Sequence, residues 1–361
     1  MDMSVHLTRW RRELHTIPEL ANCEFKTQSY LLAELKAMGV CADKCGTGLV
    51  VDVRGERRER VALRADMDAL PVTECADKPY ASTHDGMMHA CGHDAHMAML
   101  LAAVRIAKET RPKYTVRFIF QPAEENVGGA EGMIAAGCLK GVGRIYGLHV
   151  APDIPAGTIA TDGGGILAGT VEYTIDFHGR SVHCAVRDTG IDALAAACSF
   201  HVRAERLYRD KYARNCLHHI GVLRGGTASN IVAESARLEC TFRYFDDAHK
   251  EAFFVELAGV LSALGRETGA DHKLTVNSLY PPLVNDPALA AAVKRLGNAV
   301  PAAPRYTAED FAYYLNLVPG VFAWLGVGDQ THNAPLHSPG FDLDERALLT
   351  GVDYWRWVMN T

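Results

Sequence analysis

The 361-residue chain has no uninterrupted apolar run near the roughly 18 residues that a membrane span requires, so membrane insertion is not expected. It has no basic excess either: Lys+Arg 37 against Asp+Glu 43 leaves a net charge of −6, and the basic residues are scattered rather than gathered in a stripe. Nucleic acid is therefore not an expected partner. The ten cysteines (23, 41, 45, 75, 91, 138, 184, 198, 216 and 240) show no tight framework spacing. Most of them should be reduced and behave as small hydrophobes. The start, "MDMSVHLTRWRRELH", lacks the unbroken apolar core of a signal peptide and patterns as an amphipathic helix, which points to a cytoplasmic protein. Internal repeats and low-complexity tracts are absent. With 48% hydrophobic and 22% charged residues, the chain reads as a globular protein long enough for two domains.

Residues 1 to about 165 alternate strand and helix patterns. "GLVVDVRG", "RVALRADMDALP", "YTVRFIFQP" and "RIYGLHVAP" are β-rich, and "HMAMLLAAVRIAKE" has helical spacing. Such alternation predicts α/β architecture, a mixed and largely parallel sheet flanked by helices, with ligands gathering at the carboxyl ends of strands. The residues suited to chemistry fall there: Asp66 and Asp68 at one strand end, Glu124 and Glu125 after another, and His149 closing a third. The middle third reads βαββαβ, from "VEYTIDFHG" through "IDALAAACSFHVRAERL", "HHIGVLRGG", "ARLECTFRYF" and "DDAHKEAFFVELAGVLSALGRETG" to "DHKLTVNSLY". That order is ferredoxin-like, an antiparallel sheet with two helices on one face. It is an insertion, because the α/β pattern resumes with "AEDFAYYLNLVPGVFAWLGVG" and a last helix. The expected domains are 1–168 with 280–361, and 169–279.

The stretch "MHACGHDAHM" (88–97) is dense in potential ligands. Cys91 and His93 suit Zn²⁺ or another borderline divalent ion, but a thiol beside a histidine also suits a nucleophile and its base, and the stretch could simply open a helix. In "FQPAEENVGGAEG" two adjacent glutamates directly follow a buried strand, where their charge calls for positive compensation. One could bind a metal while the other takes a proton from water. A solvated helix start is the plainer reading. Asp66 and Asp68 in "RADMDALP" share one side at period-two spacing. His149 in "YGLHVAP" and His337 in "NAPLHSPGFD" complete the set, though either alone could be an ordinary surface histidine.

Taken together, "RRELHTIPEL", "RADMDALP", "MHACGHDAHM", "QPAEE", "GLHV", "GGTASNIVAESARLECTFR" and "LHSPGFD" resemble the M20 metallopeptidase family. The resemblance is to its amidohydrolase branch of hippurate hydrolases, auxin-conjugate hydrolases and N-acetyl-amino-acid deacetylases, and it runs nearly end to end. It implies a two-metal site held by Cys91, His93, Glu125, His149 and His337, with Glu124 as general base and Asp68 supporting the metal centre. Asp66 stands where other branches carry a ligating histidine and is left outside the ligand set. His89, Asp94 and His96 take supporting or structural roles. The insertion corresponds to a lid and dimerisation domain, so a homodimer or higher oligomer is implied. In "HGRSVHCA", His183 matches the lid histidine that hydrogen-bonds the reacting carbonyl across a dimer interface. Cys184 and Arg187 depart from the small residue and the proline usual there. Asn230 and Arg243 match positions near the substrate's carboxylate, and a guanidinium fork suits that group.

The activity implied is metal-dependent hydrolysis of the amide bond in N-acyl, chiefly N-acetyl, amino acids, using two divalent ions (Zn, Mn, Co or Ni). Within the branch, "EFKTQSYLL", "LHVAPDIPAGTIA" and "GGTASNIVAE" look most like the N-acetyldiaminopimelate deacetylases. General aminoacylase or hippurate hydrolase activity is the alternative. Two readings of other classes are a cysteine-nucleophile amidase built on Cys91 and His93, and a non-catalytic protein that binds acyl-amino acids.

Overall fold

In the computed structural model, which describes residues 2–75, 78–126 and 128–361, the chain divides into two compact units. One comprises Met1–Gly164, Val284–Ala303 and Asp310–Thr361, and the other Gly165–Leu283 and Pro304–Glu309.

The first unit is built on a sheet of eight strands among the described residues. Their order is Asp43–Cys45, Gly48–Val53, Tyr114–Gln121, Arg57–Asp66, Val142–Pro155, Gly320–Gly328, Ile159–Ala160 and Ala299–Val300. The four central strands run parallel. Of these, Tyr114–Gln121 and Gly320–Gly328 are buried along nearly their whole length because both faces are covered. Helix His93–Thr110 is buried almost all round, from Ala95 and Met99 to Val104 and Ile106. Helix Met3–His15 lays Leu7, Trp10 and Leu14 into the same core, as its apolar spacing predicts. The fold class expected from sequence is thus the one observed.

His149 is placed differently from the sequence expectation. Its strand continues to Pro155, because Gly320–Gly328 pairs with it as far as Gly328↔Pro155, past an irregularity at Gly326. The length of a central strand is set by its distant neighbour, so His149 sits within the strand rather than at its end.

The second unit has the order βαββαβ, with strands Gly169–His178, Cys216–Gly225, Ser235–Tyr244 and Asp271–Tyr280. The antiparallel sheet runs fourth, first, third, second, which is ferredoxin-like. Helix Ala193–Leu207 is capped by Asp192, and helix Asp247–Thr268 by Asp246. Phe253, Leu257, Leu261 and Leu264 recur at helical spacing to meet Phe200, Ile175 and Phe242 in one core.

Candidate metal centre

Three short segments of the first unit converge on the cluster. Gly92 adopts φ +81°, and a Cβ there would lie 2.5 Å from Val150. Only glycine fits. The turn lets Cys91 and His93 approach one point, with His93 as the first residue of its helix. Asp68 accepts the backbone N–H groups of Glu124 and Glu125, both at 3.0 Å, and so fixes the loop that carries both glutamates. Ala123, just before them, holds an unusual φ of +58°. Its N–H is taken at 2.9 Å by Glu24, a fully buried carboxylate that sequence reading missed and that no local pattern announces. His337 also has positive φ, +63°, and its N–H donates to Ala90 O, which ties the Pro-rich loop beside Cys91.

The side chains then meet. Cys91 Sγ stands 3.4 Å from His149 Nε2 and 3.3 Å from His337 Nε2. Glu125 Oε1 is 3.3 Å from His337 Nε2 and 3.8 Å from His93 Nε2. Ligand atoms of Cys91, Glu125 and His337 lie within 4.8 Å of one another, as do those of His93, Glu124 and Glu125. Asp66, His93, His96 and His149 form a further such group, so Asp66 and His96 lie closer to the cluster than the sequence suggested.

Protonation follows from these contacts. His93 Nδ1 faces the Asp68 carbonyl at 2.8 Å, and a carbonyl only accepts, so Nδ1 carries a proton. Its Nε2 is buried without a hydrogen-bond partner. Burial opposes the imidazolium, but Asp66, Asp68 and Glu125 outweigh it and raise His93 to about 10. Burial likewise opposes the Glu125 carboxylate, yet His337 and His93 lower it to about 2. The pocket therefore calls for positive charge, and an orphaned imidazole nitrogen facing a carboxylate fits a divalent cation.

Burial, with Glu125 and Glu124 adding to it, holds the Cys91 thiol well above its ordinary value. The histidines beside the sulfur are His149 and His337, not His93. Burial and the neighbouring His96 push His149 down to about 3, so it offers the thiol no ready base. A Cys91–His93 nucleophile pair lacks its geometry here.

In the inserted unit, His183 is exposed and opens the turn Cys184–Thr189, with its Nδ1 accepting Ala185 N–H. It bridges Ile231, and Cys184 N–H donates to Asn230 O, so His183 and Asn230 share one loop cluster. Arg243 does not join them. Ser235 pairs with His178 near that cluster, whereas Arg243 pairs with Thr170 at the other end of the strand, eight residues or roughly 26 Å away. Its guanidinium already donates to Glu172 at 3.0 Å and to Thr241 at 3.1 Å.

The profile of peptidase family M20/M25/M40 matches residues 62–361. An N-acetyldiaminopimelate deacetylase of Leuconostoc mesenteroides is 35% identical over 98% of this chain and 97% of its own. The N-acetyl-L-cysteine deacetylase of Bacillus subtilis is 34% identical over 94% and 84%. Among solved structures, a Bacillus subtilis protein described as a dinuclear metal-binding peptidase of the M20 family superposes with a TM-score of 0.88 at 32% identity, over 99% of this chain and 97% of that one.

Proposed function

The chain belongs to peptidase family M20/M25/M40, and from that premise we propose that it hydrolyses the amide bond of N-acetyl amino acids with divalent metal. The observation that carries the reading is the convergence of imidazoles, carboxylates and one thiol, buried at Cys91, His93 and His149, half-buried at Glu124 and Glu125 and exposed at His337, around the unpartnered His93 Nε2. Cys91, His93, Glu125, His149 and His337 would hold two ions, with Zn, Mn, Co or Ni as candidates. Such ions supply Lewis acidity, lowering the pKa of water from 15.7 towards about 7.

The chain's own residues do the rest. Glu124 accepts a proton from the attacking water and returns one to the leaving amine, a role commonly worth about 10²- to 10⁴-fold. Asp68 keeps Glu124 and Glu125 in place through their backbone N–H groups. His183 donates to the developing oxyanion. Asn230, in the same loop cluster, holds the substrate's carboxylate end, while Arg243, at the other end of its strand, would have to release Glu172 and reach the substrate from a different protomer than that Asn230. The preferred substrate is N-acetyldiaminopimelate, with general aminoacylase or hippurate hydrolase activity as the alternative. We place the protein in the cytoplasm as a homodimer joined through the inserted unit, which would be the lid. No helix among the described residues is long and apolar enough to cross a membrane.

The test is a panel of N-acetyl, N-benzoyl and N-succinyl amino acids, with metal analysis of the same preparation and its solution mass. Expected are turnover of an acetyl substrate, two ions per chain, loss of activity with chelator and recovery with Zn²⁺, Mn²⁺, Co²⁺ or Ni²⁺. Indifference to chelator refutes the metal reading, and a monomer refutes the dimer. Glu124→Ala should keep its metal and lose turnover; normal turnover would remove Glu124 from the mechanism.

A further inference from the structure

Asp66 and His96 are fully buried beside the candidate ligands, yet neither has a part in the proposed mechanism. Their atoms within 4.8 Å of His93 and His149 invite a reading as an additional metal site. The hydrogen bonds argue otherwise. Val150 N–H donates to His96 Nε2 at 3.0 Å, so that nitrogen is unprotonated and its lone pair is taken. The proton sits on Nδ1, which donates to Asp66 Oδ1 at 2.5 Å. The other oxygen of Asp66 accepts from Arg64 Nη1 at 2.7 Å. Arg64 is itself buried, and its remaining donors reach Gln121 Oε1 and Asp310 Oδ1, both at 2.9 Å. Both nitrogens of His96 are engaged, so His96 has no lone pair left for an ion, and each oxygen of Asp66 already accepts one hydrogen bond.

The chain of contacts runs on toward His149. The backbone of Val150 is held at both of its polar groups, in consecutive peptide units: its N–H by His96, and its carbonyl by His149 Nδ1, which donates to it at 2.8 Å. That donation leaves His149 Nε2 unprotonated and facing Cys91 Sγ. The rings of His96 and His149 also meet edge to face at 4.5 Å between centroids.

We propose that Arg64, Asp66 and His96 form a positioning relay that fixes the ring orientation and tautomer of His149 through the backbone of Val150, and so sets how tightly the centre holds its metal. This rests on the reading of His149 as a ligand. Partners that orient ligating histidines typically govern 10- to 100-fold in metal affinity. Here the partner acts through a backbone amide, because the Nδ1 of His149 is already spent on its neighbour's carbonyl.

The test uses the purified full chain loaded with Co²⁺, reading affinity by competition with a chromophoric chelator and geometry by visible absorption. His96→Asn keeps a donor for Asp66 but loses the acceptor for Val150 N–H. His96→Gln keeps the acceptor, and His96→Phe loses both. The relay predicts about 10- to 100-fold weaker binding and an altered cobalt spectrum for the Asn and Phe variants, with the Gln variant, which keeps the contact to Val150 but not the donor to Asp66, between them and the parent. Asp66→Asn should weaken binding in the same direction, and it carries the test if His96→Phe does not fold. Unaltered affinity and spectrum in His96→Asn and Asp66→Asn, or a Gln variant as impaired as the Asn variant, overturns the relay. His149→Ala, measured alongside, separates the two readings: if it keeps both ions, His149 is no ligand, and if it alone loses metal, only the relay fails.

Discussion

Asp68→Asn isolates one feature of the centre, the grip of a single carboxylate on two successive backbone N–H groups. In the parent, each oxygen of Asp68 accepts one of them at 3.0 Å. Asparagine offers one acceptor oxygen, turns its NH₂ toward the other N–H, and removes the charge. One charge-assisted hydrogen bond, worth about 1.5–3 kcal/mol, is lost. If that loss falls wholly on the transition state, the rate drops about 10- to 160-fold at 1.36 kcal/mol per decade. The mechanism of loss is displacement: with Ala123 held at φ +58°, a relaxed loop moves Glu124 off its position, and shifts near 1 Å can cost about 100-fold. Steady-state hydrolysis of an N-acetyl amino acid, paired with metal content per chain, makes the measurement. Asp68→Ala, which removes both bonds, should be slower still. A fully metal-loaded Asp68→Asn enzyme within about threefold of the parent rate, under ~1 kcal/mol, would refute this account of how the glutamates are positioned.

Arg11→Met should destabilise the first unit, since the buried guanidinium donates to Asp94 at 3.2 Å, Asp342 at 2.5 Å and Glu345 at 3.0 Å. Breaking such a set costs about 3–5 kcal/mol, read as a Tm lower by roughly 6–20 °C for a unit of this size. A shift below a few degrees contradicts it. Stability should also depend on pH through His15, which bridges Asp94 and Glu74. Burial opposes the Glu74 carboxylate, but His15, Ser82 N–H and Lys78 lower it from 4.5 to about 2. Its contribution, on the order of 3 kcal/mol, is therefore complete above 4.5 and lost as pH falls toward 2. Burial also opposes the charged form of His15, yet Asp94 and Glu74 raise it above 6.5, so its contribution is complete below 6.5 and lost as pH rises through that higher value. Denaturant unfolding across pH should show this network at full strength between 4.5 and 6.5, and His15→Gln should flatten the alkaline side.

The sequence made some of this legible and not the rest, and the division has a physical cause. Runs such as "YTVRFIFQP" and the buried positions of Phe253, Leu257, Leu261 and Leu264 declare their elements because periodicity is local. The placement of His149 misled, because the strand's end is decided by Gly328, which pairs with Pro155 from 173 residues further along the chain. Arg64 did leave a readable sign, a cation within the apolar run "VALRAD", where burial demands a carboxylate partner. Glu24 left none. Arg243 was legible as a fork suited to a carboxylate, but the carboxylate it holds here is Glu172, brought opposite it by strand pairing. His93 and His96 show the limit most sharply. They are three residues apart on one helix, their ring centroids are 5.4 Å apart, and both are buried. Spacing and residue type treat them alike. What separates them is which nitrogen is occupied: a carbonyl takes the Nδ1 proton of His93 and leaves Nε2 open, whereas a backbone N–H closes Nε2 of His96. On the proposed reading, a ligand is therefore distinguished from its support by hydrogen bonds to the backbone of other strands and loops.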